Sequence, residues 1–279
     1  MQDAFAYCAE LVRNADRDCY LATLFAPAEH RDALYALYAF NVEIVRVRGA
    51  AREPMPGEIR LQWWREVVSG ERDGEGGANP VAAALLDTIA RYRLPASMLT
   101  DVIEAHRFDL YDEPMATTAD LENYARRTSS AVIDLAAQIL GVQAKAVAEP
   151  AGIAMAIAGL LRDLPLHVAR HQLYVPVELL QRHGVSPEAI FARRSSDGLH
   201  AALAELRDLA WRRLAAVRQA LPSLPPQALS AVLPVALVPP SLNRLQRSDA
   251  FAPKELPAWR RQWLIWRAAR NPMRIAGQG

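Results

Sequence analysis

The most constraining feature of this chain is a run of small and apolar residues at 151–159, which reads Ala-Gly-Ile-Ala-Met-Ala-Ile-Ala-Gly. A helix with this sequence is apolar on every side, so it is stable only where neighbouring segments surround it. Residues without bulk let those neighbours approach closely. We therefore predict that the run forms the central helix of a multi-helix core.

Composition extends this prediction to the whole chain. Hydrophobic residues make up 52% of the 279 residues and aromatic residues only 7%. Richness in Ala, Leu and Arg favours helices over strands. Strand-like alternation and long-period repeats are both absent from the sequence. The predicted fold class is all-α, with one helical bundle forming a single domain over residues 1–279.

Helical periodicity and capping signals predict helices at 3–20, 27–48, 57–69, 80–92, 95–111, 118–140, 144–170, 199–221 and 259–270. Pro165 removes a backbone donor and is expected to kink or end the helix that contains it. The glycine-rich stretch 70–77 is predicted to be the most flexible loop, and it is too short to separate two domains.

Charge and cysteine content exclude several classes of function. Thirty-two Lys and Arg against thirty-one Asp and Glu give a net charge of +1, which supplies no broad field for nucleic acid. Cys8 and Cys19 are too few for a disulfide framework. The N-terminus shows no signal or transit pattern. We expect a reduced, cytoplasmic protein with no nucleic-acid partner.

Two apolar stretches of the sequence are candidates for membrane spans. The uncharged run 219–243 is interrupted by prolines, and the apolar run 151–161 is shorter than a span requires. Neither is predicted to cross a bilayer.

A polar cluster follows the central run. Arg162, Asp163 and His167 lie beside Pro165, and Arg170 follows one turn later. One interpretation is a buried network in which the acid pairs with a nearby arginine, because interior charges usually survive by pairing. The alternatives are a transition-metal site completed by His171, or a pocket for an anion or a prenyl group.

The segment 259–270, Trp-Arg-Arg-Gln-Trp-Leu-Ile-Trp-Arg-Ala-Ala-Arg, also has two interpretations. Large aromatic side chains tend to be buried, which favours a helix that packs its tryptophans on the bundle. Interleaved Trp and Arg also suit an anionic lipid surface, with indoles at headgroup depth and guanidinium groups on phosphates.

Three groups of segments resemble the squalene/phytoene synthase family of head-to-head prenyl transferases. They are Arg-Asp-Ala-Leu-Tyr-Ala-Leu-Tyr-Ala-Phe at 31–40; Leu-Gln-Trp-Trp-Arg at 61–65 with 109–110 and 120–124; and Leu-Arg-Asp at 161–163 with Tyr174 and Pro176. The resemblance implies the all-α isoprenoid synthase fold. It also implies two acidic motifs that bind Mg²⁺, which holds the diphosphate leaving groups.

The first acidic motif is missing from this chain. Val45, Arg46 and Gly49 stand where the family carries acids, and no aspartate occurs between Ala33 and Glu53. An arginine at such a position puts a permanent positive charge where a divalent cation would sit. Asn41 and Glu43 remain as candidate polar contacts, although Glu43 is as well explained by pairing with a neighbouring arginine.

The second acidic motif is half lost. Asp163 is present, but Leu166 and His167 replace the acids that follow it. The sequence thus leaves Asp163 and His167 as remnants of a degenerate catalytic site, with no metal or other cofactor expected. The candidate ligand-binding residues are Asn41, Glu43, Arg46, Arg162, Asp163, His167, Arg170 and Tyr174.

This pattern resembles a non-catalytic branch of the family that includes a mitochondrial complex I assembly factor and its bacterial relatives. The segments that carry the resemblance are 40–43, 121–125 with Thr128 and Ser129, 161–162 with Pro165, His167 and Arg170, and 183–188. The resemblance implies a role in assembling respiratory NADH dehydrogenase, with complex I subunits or other assembly proteins as partners. It also implies a peripheral location at the inner membrane.

Two alternatives stay open. One is a prenyl transferase that acts on farnesyl or geranylgeranyl diphosphate and needs Mg²⁺. The other is an isoprenoid- or lipid-binding protein that keeps the apolar pocket without chemistry, because pockets between bundle helices suit such ligands.

Overall fold

The computed structural model describes residues 1–50, 53–72 and 78–277. Helices dominate these residues, and the described part of the chain contains no β-strand, only an isolated bridge between Asp249 and Ala252. The all-α prediction is confirmed. Most of the predicted flexible loop, residues 73–77, lies outside the described residues.

The helices of the described residues are numbered in chain order. They are α1 Gln2–Ala15, α2 Arg17–Thr23, α3 Ala28–Ala50, α4 Pro54–Val68, α5 Pro80–Tyr92, α6 Ala96–Ala105, α7 Thr118–Ala125, α8 Ala131–Ile139, α9 Lys145–Arg162, α10 Leu164–Ala169, α11 Val177–Arg182, α12 Pro187–Phe191, α13 Asp197–Ala220, α14 Leu229–Val232, α15 Val238–Leu245 and α16 Ala258–Arg270. Short 3₁₀ turns include His106–Leu110 after α6 and Leu233–Leu237 before α15, and a π-turn at Arg126–Ser130 joins α7 to α8.

The predicted first helix, 3–20, is wrong in one respect: two helices form in its place, because the helix is interrupted at Asp16. This residue has φ −138°, and its carboxylate accepts a 3.1 Å hydrogen bond from the backbone N–H of Cys19. Aspartate is among the best N-cap residues, so it ends α1 and starts α2. Cys8 and Cys19 therefore lie on different helices, and both are free thiols.

Helix α9 contains the run 151–159 and packs against α13, α8 and the π-turn. At Gly152, helix α9 lies very close to the π-turn. A Cβ at this position would overlap the backbone of Ser130. Ala151, Ile153 and Ala154 are fully buried, as predicted for the central helix. Met155 and Ala156 are only partly buried because this side of α9 faces a cavity.

Two clusters of buried side chains form the core. One surrounds α9 and α13, and the other surrounds α3, α4, α5, α6 and α8. In the second cluster Trp64 is fully buried and meets Phe40 edge-on, with ring centroids 5.3 Å apart. Trp63 is half-buried beside it, as expected for adjacent helical positions that point in different directions.

The predicted helix 144–170 is interrupted before Pro165. Helix α9 ends at Arg162, Asp163 adopts φ −91° and ψ 8°, and Leu164 and Pro165 open the short helix α10. Proline is tolerated in a first helical turn, where its missing N–H is not needed. The break brings Asp163 and His167 to the wall of one cavity.

Beyond the end of α13, the proline-rich run 219–243 forms a series of short α- and 3₁₀-helices. Pro226–Leu245 is apolar and long enough to cross a membrane by length and composition alone, and 67% of its most apolar window is buried inside the fold. A core helix of a soluble protein has the same character, so this observation is weak support for a membrane span.

Candidate functional site

A cavity of about 590 Å³ opens between α2, α3, α9, α10 and α15. One wall is apolar and includes Met155, Leu160, Leu237 and Val238. The other lining is strongly polar, with seven Lys and Arg and five Asp and Glu. Such a cavity suits a ligand that has an apolar body and an anionic end.

Asp109 lies at the centre of the cavity's polar floor. Its carboxylate accepts hydrogen bonds from Oη of Tyr174 at 2.5 Å and of Tyr124 at 3.0 Å, and it lies 2.7 Å from Nδ1 of His106. The side-chain amide of Gln172 donates to the Asp109 carbonyl at 2.7 Å. The carboxylate is buried and its oxygens are taken up by groups of the protein itself.

The two tyrosines of this floor are held as neutral donors. Burial, together with the neighbouring charge of Asp109, raises the pKa of Tyr124 and of Tyr174 well above the ordinary value. Each hydroxyl therefore stays protonated and donates a hydrogen bond to the Asp109 carboxylate. The floor is a hydrogen-bonded unit in which one anion is shared by two phenols and an imidazole.

Two further polar atoms on the cavity lining lack protein partners among the described residues. His106 is buried and its Nε2 has no hydrogen bond, while Nδ1 faces Asp109. Arg48 forms a 3.1 Å ion pair with Asp112, and its Nε is buried without a partner. Unpaired buried groups are costly, which makes these atoms natural contacts for a water or a ligand.

Arg162 and Asp163 bind each other at the end of α9. Nε and one terminal nitrogen of Arg162 donate to the two oxygens of Asp163 at 2.9 and 2.7 Å. The pair is partly buried. This geometry matches the paired-network interpretation, and it leaves Asp163 with an arginine at both oxygens rather than a free carboxylate.

His167 lies on the same lining, but its ring forms no hydrogen bond with Arg162 or Asp163. The ring packs on Tyr174 with centroids 4.6 Å apart, and its buried Nδ1 has no hydrogen-bond partner among the described residues. Burial lowers the pKa of His167, and the nearby Asp163 acts in the opposite direction. The imidazole is thus favoured in its neutral form.

The structure does not bring together the three residues of the transition-metal interpretation. His171 has φ +56° and stacks on Phe191, with centroids 5.2 Å apart, and it does not line the cavity. In the ranges that the structure describes, no three His, Cys, Asp or Glu residues are grouped to hold a metal ion. The left-handed backbone after α10 turns His171 away from Asp163 and His167.

The α3 wall carries the residues that replace the first acidic motif. Val45 and Arg46 line the cavity, and Arg46 has no ion pair with any described residue. Gly49 lies beside Arg170, whose terminal nitrogen would be 3.5 Å from a Cβ at that glycine. The wall that would face Asp163 with acids therefore presents guanidinium groups.

The other two candidates on α3 separate. Asn41 lines the cavity. Glu43 does not, because it accepts a 2.6 Å hydrogen bond from Arg60 on α4. Its role as an ion-pair partner is the correct alternative, and its assignment as a ligand contact is wrong.

Sequence reasoning missed several lining residues, chief among them Asp109, His106 and Gln172 of the floor. It also missed the rim, where Asp18 of α2 binds Arg261 of α16 and the carboxylate of Asp16 lies close by. The only signal for Asp109 and Tyr124 was their presence in the family-like segments 109–110 and 120–124.

The prediction that α16 packs its tryptophans on the bundle is wrong. Trp259, Trp263 and Trp266 are exposed by 70%, 46% and 45%, whereas Leu264 and Ile265 of the same helix are buried. The helix buries its aliphatic face, and the tryptophans occupy the opposite one.

Sequence comparison relates this chain to proteins of two kinds. It is 30% identical over 246 residues to a Homo sapiens protein, and 32% identical over 247 residues to a Bos taurus protein, both named NADH dehydrogenase (ubiquinone) complex I, assembly factor 6. Each match covers 87% of this chain and 74% of the relative. A 15-cis-phytoene synthase of Synechococcus elongatus is 25% identical over 206 residues, which cover 68% of this chain and 67% of the synthase.

Solved structures share the fold. A dehydrosqualene synthase in complex with ligand superposes with a TM-score of 0.81 at 18% identity, covering 96% of both chains. A squalene synthase from Alicyclobacillus acidocaldarius superposes with a TM-score of 0.70 at 23% identity, covering 96% of this chain and 94% of the other. The predicted isoprenoid synthase fold is confirmed.

The profile of the squalene/phytoene synthase family matches residues 12–267, which is most of the chain and includes all the cavity-lining helices. The resemblance found in the sequence motifs is confirmed by this match. The chain belongs to the squalene/phytoene synthase family.

Proposed function

We propose that this chain is a non-catalytic member of its family that acts, by binding, in the assembly of respiratory NADH dehydrogenase. Relatives named as complex I assembly factors align over 87% of the chain. We propose complex I subunits or other assembly proteins as the partners of this chain. The place of action would be the cytoplasmic surface of the inner membrane.

One observation carries the non-catalytic part of the proposal. Where a metal-dependent synthase needs carboxylates on two facing helices, α3 presents Arg46, and the remaining Asp163 is bound by Arg162 at both oxygens. Mg²⁺ requires several oxygen ligands with near-octahedral geometry. These donors do not suit Mg²⁺, so we propose that the cavity holds no metal or cofactor and performs no prenyl transfer.

Gene deletion followed by complementation tests the role in assembly. Deleting the gene in the source organism should lower NADH:quinone activity in membranes, together with the amount of fully assembled complex. Restoring the wild-type gene should restore both. Wild-type activity and a complete complex in the deletion strain would contradict the proposal.

The variant Asp163→Asn separates binding from catalysis. It keeps the size and a hydrogen-bond acceptor for Arg162 but removes the only acid of the second motif. A binding protein with this change should still complement the deletion, whereas a metal-dependent synthase would lose its product. Failure of a well-folded Asp163→Asn protein to complement would count against a non-catalytic role.

A second candidate function is storage or presentation of an isoprenoid or lipid. The cavity of about 590 Å³ with an apolar wall at Met155, Leu160 and Val238 favours it. Native mass spectrometry of gently purified protein should then show a co-purifying lipid. A reproducibly empty protein would remove this candidate.

Prenyl transfer is tested separately. Purified protein incubated with farnesyl or geranylgeranyl diphosphate and Mg²⁺ should give no hydrocarbon product if the proposal is correct. Appearance of a squalene- or phytoene-type product would establish the enzyme instead.

A further inference from the structure

Helix α16 carries an exposed aromatic and cationic face. At 100° per residue, Trp259, Trp263, Trp266 and Arg270 lie within roughly 60° of one another around the helix axis. The three tryptophans are half to two-thirds exposed. Contiguous exposed apolar surface of this kind marks an interaction site more often than an isolated exposed residue does.

The opposite face fixes the helix to the bundle. Leu264, Ile265 and Ala268 are buried, and Arg261 is held by Asp18 of α2 through a 3.0 Å bond from its Nε. The helix therefore presents its tryptophans from a rigid support. It does not need to unfold or detach to expose them.

Guanidinium groups cover two of the indoles. Arg267 lies over Trp263 and Arg270 lies over Trp266, each with its central carbon 4.4 Å from the ring centroid. Stacked Arg and Trp four residues apart keep apolar and cationic groups on the same patch. Within Ala258–Arg270 there are four arginines and no acidic residue.

The cations of this patch lack counter-ions. Arg260, Arg267, Arg270 and Arg274 form no ion pair with any residue that the structure describes. Burial, together with the charges of Arg274 and Arg260, lowers the pKa of Arg267, as expected for guanidinium groups crowded without an acid. The patch is therefore complementary to a surface that supplies negative charge from outside the molecule.

We propose that α16 and the turn that follows it form a peripheral membrane-binding surface that selects bilayers with anionic headgroups. Indoles at headgroup depth and arginines on lipid phosphates are the pairing that such a surface provides. Met273, which is 45% exposed in the following turn, adds an apolar group next to Arg274. This inference does not depend on the proposed role in assembly.

A bilayer explains the patch better than a protein partner does. The patch lies on the outward face of a single helix. Its exposed aromatic groups are three tryptophans, and its exposed charges are all positive. Tryptophan and arginine together are enriched at membrane interfaces, where one side of the residue is apolar and the other meets phosphate.

Vesicle binding tests the proposal with the full-length protein. The protein should sediment with vesicles of phosphatidylcholine mixed with phosphatidylglycerol and not with phosphatidylcholine alone. Added salt should release it, because screening weakens attraction between exposed charges. Sedimentation with neither kind of vesicle, or equally with both, would overturn the proposal.

Two variants locate the surface. Trp263→Ser with Trp266→Ser removes the indoles, and Arg267→Gln with Arg270→Gln removes two positive charges. Each pair should weaken binding to the mixed vesicles by at least about tenfold. For the arginine pair this follows because each basic residue contributes about fivefold to binding. The matched control is Met55→Ser with Ile59→Ser, which removes exposed apolar side chains of α4. The control pair should bind like the wild type.

Thermal unfolding checks that each variant is folded. A folded tryptophan pair that binds vesicles as tightly as the wild type would overturn the proposal. A control pair that loses binding equally would do the same, because it would show that no particular surface is used. Capture of a protein partner by the patch, without vesicle binding, would also reject it.

Discussion

Tyr174 donates a 2.5 Å hydrogen bond from its Oη to the carboxylate of Asp109, a residue 65 positions earlier in the chain. The bond joins the segment after α10 to the 3₁₀ turn after α6, and Tyr124 of α7 donates to the same carboxylate. Three separate segments thus meet on one buried anion. The polar floor of the cavity is part of what holds these segments together.

Removing the hydroxyl by Tyr174→Phe should lower the free energy of unfolding by about 1.5–3 kcal/mol, because the carboxylate loses a charge-assisted hydrogen bond. Tyr174 is only 6% exposed, so bulk water does not readily replace it. Urea denaturation followed by circular dichroism measures the change. Phenylalanine keeps the ring that packs on His167.

Tyr111→Phe is the matched control. Tyr111 also donates to a carboxylate, that of Glu58 at 2.8 Å, but its side chain is 43% exposed. The expected loss is much smaller, as for other surface substitutions. Equal losses for the two variants would show that the buried floor has no special part in stability.

Helix α9 provides a pair of glycines with opposite expectations. Gly152→Ala should destabilise the fold by about 3 kcal/mol or more, since the added methyl overlaps backbone atoms of Ser130 that have no room to move. Gly159→Ala on the same helix should stabilise it by about 0.5–1 kcal/mol, because alanine is the better helix former. No atom of the described residues lies within 4 Å of a Cβ at Gly159.

Both glycine variants are measured by urea denaturation under identical conditions. Both variants make the same chemical change, so the test is whether their effects on the free energy of unfolding have opposite signs. Destabilisation by both variants would mean that the side of α9 at Gly159 is closed, which contradicts the cavity there. Tolerance of Gly152→Ala would mean that α9 and the π-turn are not in close contact.

The sequence predicted the central helix because a run without polar residues has only one stable environment. It did not predict which side of α9 faces the cavity, since that depends on where α3 and α15 leave space. The sequence does not single out Asp109 for a similar reason. Its two tyrosine partners are 15 and 65 positions away, and only the packing of their segments brings them to its carboxylate.

The wrong prediction for α16 came from a general tendency of tryptophan rather than from the sequence of this helix. Helical periodicity already places Trp259, Trp263 and Trp266 on one face and Leu264 and Ala268 on the other. Only one face can pack on the bundle, and the aliphatic one does. In this helix the pattern was a better guide than the residue type.

His167 should make the protein less stable as the pH falls. Burial lowers its pKa below the ordinary 6.5, with Arg170 and Arg162 acting in the same direction and Asp163 and Asp109 opposing. The unfolded chain therefore takes up a proton at a higher pH than the folded protein does. Stability from this residue is complete above pH 6.5 and declines as the pH falls towards the folded pKa.

Urea midpoints measured at several pH values for wild type and His167→Gln test this sign. The difference in unfolding free energy, wild type minus variant, should fall from about pH 7.5 to about pH 5 because only the wild type has the titrating imidazole. A titration of the His167 ring by NMR should give a pKa below the ordinary histidine value of 6.5. A difference that rises on acidification would contradict the direction of the shift.

Magnesium should leave the stability of the protein unchanged, and the reason lies in where the acids of the cavity are used. Three of the five acids on the cavity lining are bound by side chains of the protein, Asp163 by Arg162, Asp109 by two tyrosines and Asp18 by Arg261. A fourth, Asp16, accepts the backbone N–H of Cys19 at the start of α2. A folded-state site occupied at a hundred times its dissociation constant would add about 2.7 kcal/mol to the unfolding free energy. Urea denaturation in MgCl₂, compared with NaCl of equal ionic strength, detects a change of that size. An increase specific to MgCl₂, reversed by a chelator, would show that the cavity still assembles a metal site despite Arg46.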